Sequence, residues 1–174
     1  LVNLEISMND KIVNNALKIK PNYICIVPEN RKEVTTEGGL NLVKNKKKLS
    51  KIIERFKKAK IRTSLFINPT LKDIKLSKEL KVDCVEIHTG KISNLAKLNK
   101  KFHREWVRIK KCSTVAKKLN TEVHAGHGLD YKTTKILSKV KEIEEFNIGH
   151  FIIGESIFIG LSNVIKMFKK IIKN

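Results

Sequence analysis

Apolar positions along the chain switch repeatedly between two spacings. Short runs rich in Val and Ile stand between longer stretches whose apolar residues recur every three to four positions. The pattern predicts strands over residues 2–6, 22–27, 62–67, 82–88, 121–125 and 145–148. It predicts helices over 10–19, 42–60, 71–80 and 92–119, then over 131–143 and within 157–172. Asn9 or Asp10 supplies a cap for the first helix, and a polar, glycine-closed loop follows the second strand.

Six βα units thus follow one another without a linker or low-complexity segment, which reads as a single domain over residues 1–174. Strict alternation means a parallel sheet, and strands without polar alternation are those that helices cover. Two architectures fit, an open doubly wound sheet and part of a closed barrel. No G-x-G-x-x-G follows the first strand, so the dinucleotide fingerprint is missing. Six units in 174 residues take about 29 each, so eight need about 230, close to a (β/α)₈ barrel. A barrel reading leaves this chain two units short of closure.

Composition changes this picture little. No apolar run approaches the roughly 18–20 residues of a membrane span. The longest candidate, 151–161, is interrupted by Gly154, Glu155 and Gly160. The chain opens on Leu-Val-Asn-Leu-Glu, with no basic or apolar leader pattern, and a cytoplasmic protein is expected. A first residue other than Met means either a piece of a longer chain or a non-standard start codon read literally. The net charge of +20 suggests a polyanion partner, but only five of the 37 basic residues are Arg. Bidentate phosphate and base recognition favours Arg. The lysine load therefore reads as solvated helix faces and codon bias, and nucleic acid is not the expected partner. Cys25, Cys84 and Cys112 form no C-x-x-C pair and read as buried thiols. No metal signature is present.

Candidate chemistry gathers at the carboxyl ends of the strands, where parallel α/β folds build their sites. Those ends carry Glu5, then Glu29 with Thr35 and Thr36, then Asn68, Glu86 with His88, His127 and His150. Glu5 lies between Leu4 and Ile6 and points into a barrel or a core, as either an ion-pair partner or an acid/base group with a raised pKa. Glu86 and His88 share a strand face, as a dyad or as a mutually satisfied buried pair. Gly126-His127-Gly128 allows close backbone approach to a ligand. Gly149 and Gly154 follow the next strand, where barrels hold phosphate if these are the last two strands. His103 and His124 read as structural.

Taken in order, Asn3-Leu4-Glu5, Val27-Pro28-Glu29, Glu33-Val34-Thr35-Thr36-Glu37-Gly38-Gly39-Leu40, Glu86-Ile87-His88-Thr89-Gly90, Ala125-Gly126-His127-Gly128-Leu129 and Asn147-Ile148-Gly149-His150 closely resemble the pyridoxine 5′-phosphate synthase family. The resemblance implies a (β/α)₈ TIM barrel of which this chain carries the six units equivalent to strands three to eight. It implies condensation of 1-deoxy-D-xylulose 5-phosphate with 3-amino-2-oxopropyl phosphate, without a cofactor, in a homo-oligomer, usually an octamer. It implies Glu5 as a catalytic acid/base, His127 as a proton donor and Glu86 as a transition-state stabiliser. Thr35 is implied as a contact to the deoxyxylulose phosphate, and Gly128, Gly149 and His150 as contacts to the amino-oxopropyl phosphate. The family's first two βα units, with their N-x-D-H and H-L-R-E-D-R-R-H-I motifs, have no counterpart here. An alternative therefore stays open: a truncated, inactive or repurposed barrel that binds polyanions through its basic surface.

Overall fold

The structure, a computed structural model, describes residues 1–29 and 38–173. Thr35 and most of its loop lie outside the described residues. The elements run β1 (Asn3–Ile6), α1 (Asp10–Ile19), β2 (Tyr23–Ile26), α2 (Leu42–Lys58), β3 (Arg62–Ile67), α3 (Leu71–Glu79) and β4 (Cys84–His88). There follow α4 (Gly90–Lys97), α5 (His103–Lys118), β5 (Glu122–Gly126), α6 (Tyr131–Leu137), β6 (Ile143–Asn147), α7 (His150–Ile159) and α8 (Leu161–Lys173). All six strands are parallel and each pairs with the next in sequence. No helix among the described residues is long and apolar enough to cross a membrane.

Local chemistry accounts for most boundaries. Asn9, Asn41 and Thr70 accept backbone N–H bonds at the starts of α1, α2 and α3, and Asp130 with Thr133 forms a capping box on α6. Chain reversal after five helices places Lys20, Lys60, Lys81, Asn99 and Asn120 at positive φ, positions that glycine usually takes.

Three helix expectations are corrected. The stretch 92–119 is two helices, because the chain turns at Asn99 (φ 52) and the Lys100 N–H bonds Leu95 O at 2.8 Å. The helix expected to reach 143 stops at Leu137, because Ile143 pairs with Val123 in the sheet. Apolar spacing carries on across that turn because Val140 is itself buried. The third correction lies at 150–159, expected to be largely loop but helical as α7. An internal Gly costs a helix only about 1 kcal/mol, so Gly154 does not break it, whereas Gly160 (φ 80) ends it.

The hydrophobic core lies between the convex face of the sheet and the helices. Ile24, Ile26, Leu65, Ile67, Val85, Ile87 and Val123 meet Leu49, Ile53, Phe56, Ile74, Ile92 and Ile109 there. Alternation along each strand sends the other residues to the concave face, and these are largely polar. A flat six-stranded sheet would hold its outer strands roughly 24 Å apart at the usual strand spacing. Yet Asn3 Nδ2, on β1, donates to Glu145 Oε1, on β6, at 3.0 Å. The sheet is therefore curled into a half-barrel, consistent with an incomplete TIM-like barrel.

A polar chain crosses the floor of that half-barrel. The Arg62 guanidinium donates to the Tyr23 hydroxyl and to the Glu122 carboxylate. His124 Nε2 lies 2.9 Å from Glu122 Oε1, and its Nδ1 lies 3.4 Å from Glu145 Oε1. Arg62 is partly exposed while His124 is fully buried, so the chain runs from solvent into the interior. Removing one member of such a network strands its partners. In denaturant unfolding, Arg62→Met and Glu122→Gln should each destabilise, and the double variant should lose less than the sum. The expected coupling is about 0.5–3 kcal/mol; additive losses would mean that the pair contributes nothing.

Candidate active site

Strand alternation aims one ladder of side chains into the concave face above the floor. Paired positions place Glu5 beside Cys25, Cys25 beside Ser64, and Phe66 beside Glu86. Glu86 in turn stands beside His124, and Gly126 beside Asn147. The carboxyl ends of these strands open into a cavity of about 1010 Å³. Glu5, Glu86, His127, Gly128, Gly149 and His150 all line it. Six residues picked from four strand ends are thus brought together, and Thr35 lies outside the described residues.

The two carboxylates differ in setting, although both point into the interior of the half-barrel, as expected. Glu5 sits on the first strand and is exposed, facing open cavity space. Glu86 is 4% exposed, in the middle of the sheet. Burial pushes the Glu86 carboxyl up to about 7, with the nearby Glu5 charge adding to the shift. The Asn147 amide works against that, donating from Nδ2 to Glu86 Oε2 at 2.7 Å. The Cys25 thiol also donates to Glu86 Oε2, at 3.5 Å, and is itself pushed well up by burial and by the Glu86 charge. Cys25 is a buried thiol as expected, but it is also a hydrogen-bond donor to the site.

Gly126 shows why the carboxyl can lie where it does. A Cβ on Gly126 would stand 1.9 Å from Glu86 Oε1, so no larger residue fits beside that carboxyl. Gly126 thus makes room for a side chain, in addition to any approach by a ligand. Gly149 is different, since a Cβ there would meet nothing within 4 Å.

His127 lines the cavity, and His88 stands against it. Their rings stack at 4.8 Å between centroids, and Phe66 meets the His88 ring edge-on at 5.3 Å. His88 therefore belongs with His127 as well as sharing the strand face of Glu86. At the far rim α7 begins at His150, with Gly149 as its N-cap and no side-chain cap bond. The first N–H groups of a helix have no partner within it, and they suit an anion.

Sequence reasoning missed Asn147, Phe66 and Lys97, which also line the cavity. Asn147 carried a usable signal, since it ends a strand two residues before a glycine. Lys97 carried none, because one lysine among so many on helices does not stand out. His124 and His103 lie away from the cavity lining: His124 in the polar floor, His103 exposed and stacked on Trp106.

Among the described residues, one group has the donor spacing of a metal site. Cys84, Glu122 and His124 offer ligand atoms within 4.8 Å of one another. The Arg62 guanidinium already bonds the same Glu122 carboxylate and lies 3.7 Å from Cys84 Sγ. A cation stands where the ion would go, so the donor set does not fit a metal.

Comparisons with known proteins converge on one family. The family model described as "Pyridoxal phosphate biosynthesis protein PdxJ" matches residues 1–174. The chain is 67% identical over 171 residues to the pyridoxine 5′-phosphate synthase of Pelagibacter ubique (strain HTCC1062), covering 98% of this chain and 72% of that protein. It is 42% identical over 195 residues to the synthase of the same name from Aliarcobacter butzleri (strain RM4018), covering 99% and 75%. Identity to the one from Prochlorococcus marinus (strain MIT 9211) is 42% over 173 residues, covering 99% and 70%.

The position of Glu86 makes a testable statement about stability. A carboxyl whose pKa is higher in the folded than in the unfolded chain prefers to fold protonated. It costs nothing below its ordinary value of 4.5, where both states hold the proton, and the full amount above about 7. Glu86→Gln keeps an acceptor for Asn147 and removes the charge. Thermal melts should show it stabilised at pH 8, by at most roughly 3 kcal/mol, and close to the parent at pH 4. Equal melting temperatures at both pH values would mean that Glu86 titrates as an ordinary carboxyl.

Proposed function

This chain belongs to the pyridoxal phosphate biosynthesis protein PdxJ family, and we propose that it works as a pyridoxine 5′-phosphate synthase. The reaction condenses 1-deoxy-D-xylulose 5-phosphate with 3-amino-2-oxopropyl phosphate to pyridoxine 5′-phosphate, phosphate and water. The observation that carries this reading is the convergence of Glu5, Glu86 and His127 on one 1010 Å³ cavity rimmed by the α7 N-terminus. Two phosphorylated substrates need room, anion sites and proton carriers together, and this cavity offers all three.

The chemistry assigns the roles. Joining an amine to a ketone, enolising the product and expelling phosphate and water all need accompanying proton transfers, which suit groups poised near neutral pH. Glu5, open to the cavity, takes and returns protons. His127 protonates the departing oxygen. Glu86, buried behind them with a pKa of about 7, stabilises positive charge that develops in the ring-closing steps. Gly128, Gly149 and His150 hold the phosphate of the amino-oxopropyl substrate at the start of α7, and Thr35 contacts the deoxyxylulose phosphate.

Two finer assignments belong to the same reading. The six βα units correspond to strands three to eight of a (β/α)₈ barrel, in keeping with a TIM-like curl and with a chain that covers 72% of the Pelagibacter ubique synthase. The enzyme assembles as a homo-oligomer in the cytoplasm. Polyanion binding is not favoured, since a lysine-rich surface alone neither predicts the cavity nor uses its residues.

The test is steady-state turnover of both substrates in the full-length enzyme, read as pyridoxine 5′-phosphate formed. Glu5→Gln and His127→Asn should each lower kcat by about 10²–10⁴-fold, the usual worth of a positioned acid or base. The melting temperature should stay near that of the parent. Near-normal turnover in both would overturn the residue assignment.

A further inference from the structure

His127 is held in an unusual backbone conformation. Its φ is 78°, and Gly128 follows at 76°. The left-handed region costs a residue with a Cβ about 1–2 kcal/mol. A side chain kept there needs its surroundings to hold it.

Those surroundings are the three residues that end β4 and start α4. The Thr89 N–H donates to Gly126 O at 2.8 Å. The Thr89 hydroxyl lies 2.7 Å from the same carbonyl and 2.8 Å from His127 O. One hydroxyl proton is thus shared between the carbonyls on either side of the His127 backbone. Thr89 is fully buried, so no water competes for it. It also occupies the N-cap position of α4, yet makes no side-chain cap bond there. A capping threonine contributes about 1 kcal/mol to its helix. Here the hydroxyl is directed across to the next strand end instead.

Gly90 completes the mould. A Cβ on it would stand 2.8 Å from His88 Cε1 and 2.9 Å from His127 Cδ2. The His88 ring cannot retreat, since Phe66 packs against it. Only glycine lets the two imidazoles stack.

We propose that Thr89 and Gly90 are positioning residues for His127: the Thr89 hydroxyl locks its left-handed backbone, and Gly90 clears the space for its ring. This inference rests on the assignment of His127 as the proton donor. Neither residue lines the cavity, and both act through the placement of one imidazole.

The experiment compares Thr89→Val, Thr89→Ser, Gly90→Ala, His127→Asn and Thr89→Val/His127→Asn in the full-length enzyme, by kcat, KM and melting temperature. Thr89→Val keeps the shape and loses the hydroxyl; misplacing a catalytic group on this scale costs roughly 10–100-fold. The expected result is that loss in kcat with KM changed less than about threefold, while Thr89→Ser stays close to the parent. The double variant should be no slower than His127→Asn alone, because the threonine has nothing left to position. Wild-type kcat in Thr89→Val alongside an inactive His127→Asn overturns the proposal and leaves the role of His127 standing. Equal further slowing in the double variant overturns it too, by showing that Thr89 acts elsewhere. Wild-type kcat in His127→Asn would instead remove the reading on which the proposal rests. If Thr89→Val does not fold, Gly90→Ala decides, with a similar fall in kcat supporting the mould and parent-like kcat rejecting it.

Discussion

The concave face of this sheet is built from groups that cannot be buried alone, and the rest of the molecule follows from how they are satisfied. A closed parallel barrel ordinarily fills its interior with branched apolar side chains. Here the strands point Asn3, Tyr23, Arg62, Cys84, Glu122, His124 and Glu145 inward at the floor. Desolvating an unpaired polar group costs on the order of 1–3 kcal/mol, and a charge costs more. The groups therefore pair with one another, and the last pair, Asn3 with Glu145, spans the first and last strands. A network that must close on itself can do so only if the sheet curls. The curl in turn brings six strand ends around one cavity.

The layer above the floor is satisfied only in part, and that is the layer that opens into the cavity. Glu86 receives one amide and one thiol, both directed at the same oxygen. Its other oxygen lies over Gly126 with no room for a Cβ. A carboxyl with half its demand met, in a buried place, is held at a pKa near 7. Glu5 is the contrasting case, three strands away on the sheet's first strand and open to the cavity. Two carboxylates on one cavity thereby differ in burial, and the buried one, Glu86, has its pKa raised by that burial. Holding Glu86 there gives up stability above its raised pKa, since the buried charge is less well solvated than in the unfolded chain.

The histidine wall obeys the same logic in backbone terms. His127 occupies a conformation that glycine would accept more readily, flanked by glycines on both sides. Hydrogen bonds from β4 and a ring stacked on His88 hold it there. The segment His88-Thr89-Gly90 serves the histidine of the neighbouring strand with its ring, its hydroxyl and its lack of a side chain.

How much of this was legible beforehand differs by level. The alternation of apolar periods was enough for six parallel βα units, because burial on one face of a helix and both faces of a strand leaves a pattern in the chain itself. Strand ends were enough to single out Glu5, Glu86, His127, Gly128, Gly149 and His150, since parallel folds put their sites there. The motif likeness to the synthase family came from the same residues. The breaks at Asn99 and Leu137 and the helix at 150–159 were not legible: backbone turns there follow from pairing and packing with distant residues, while local apolar spacing runs on. The separation of Glu5 from Glu86, the reach of Cys25 and Asn147 to one carboxyl, and the hold of Thr89 on His127 were decided only by tertiary structure. Each depends on distances between residues far apart in the chain, and a carboxyl's proton affinity is set by what surrounds it in space.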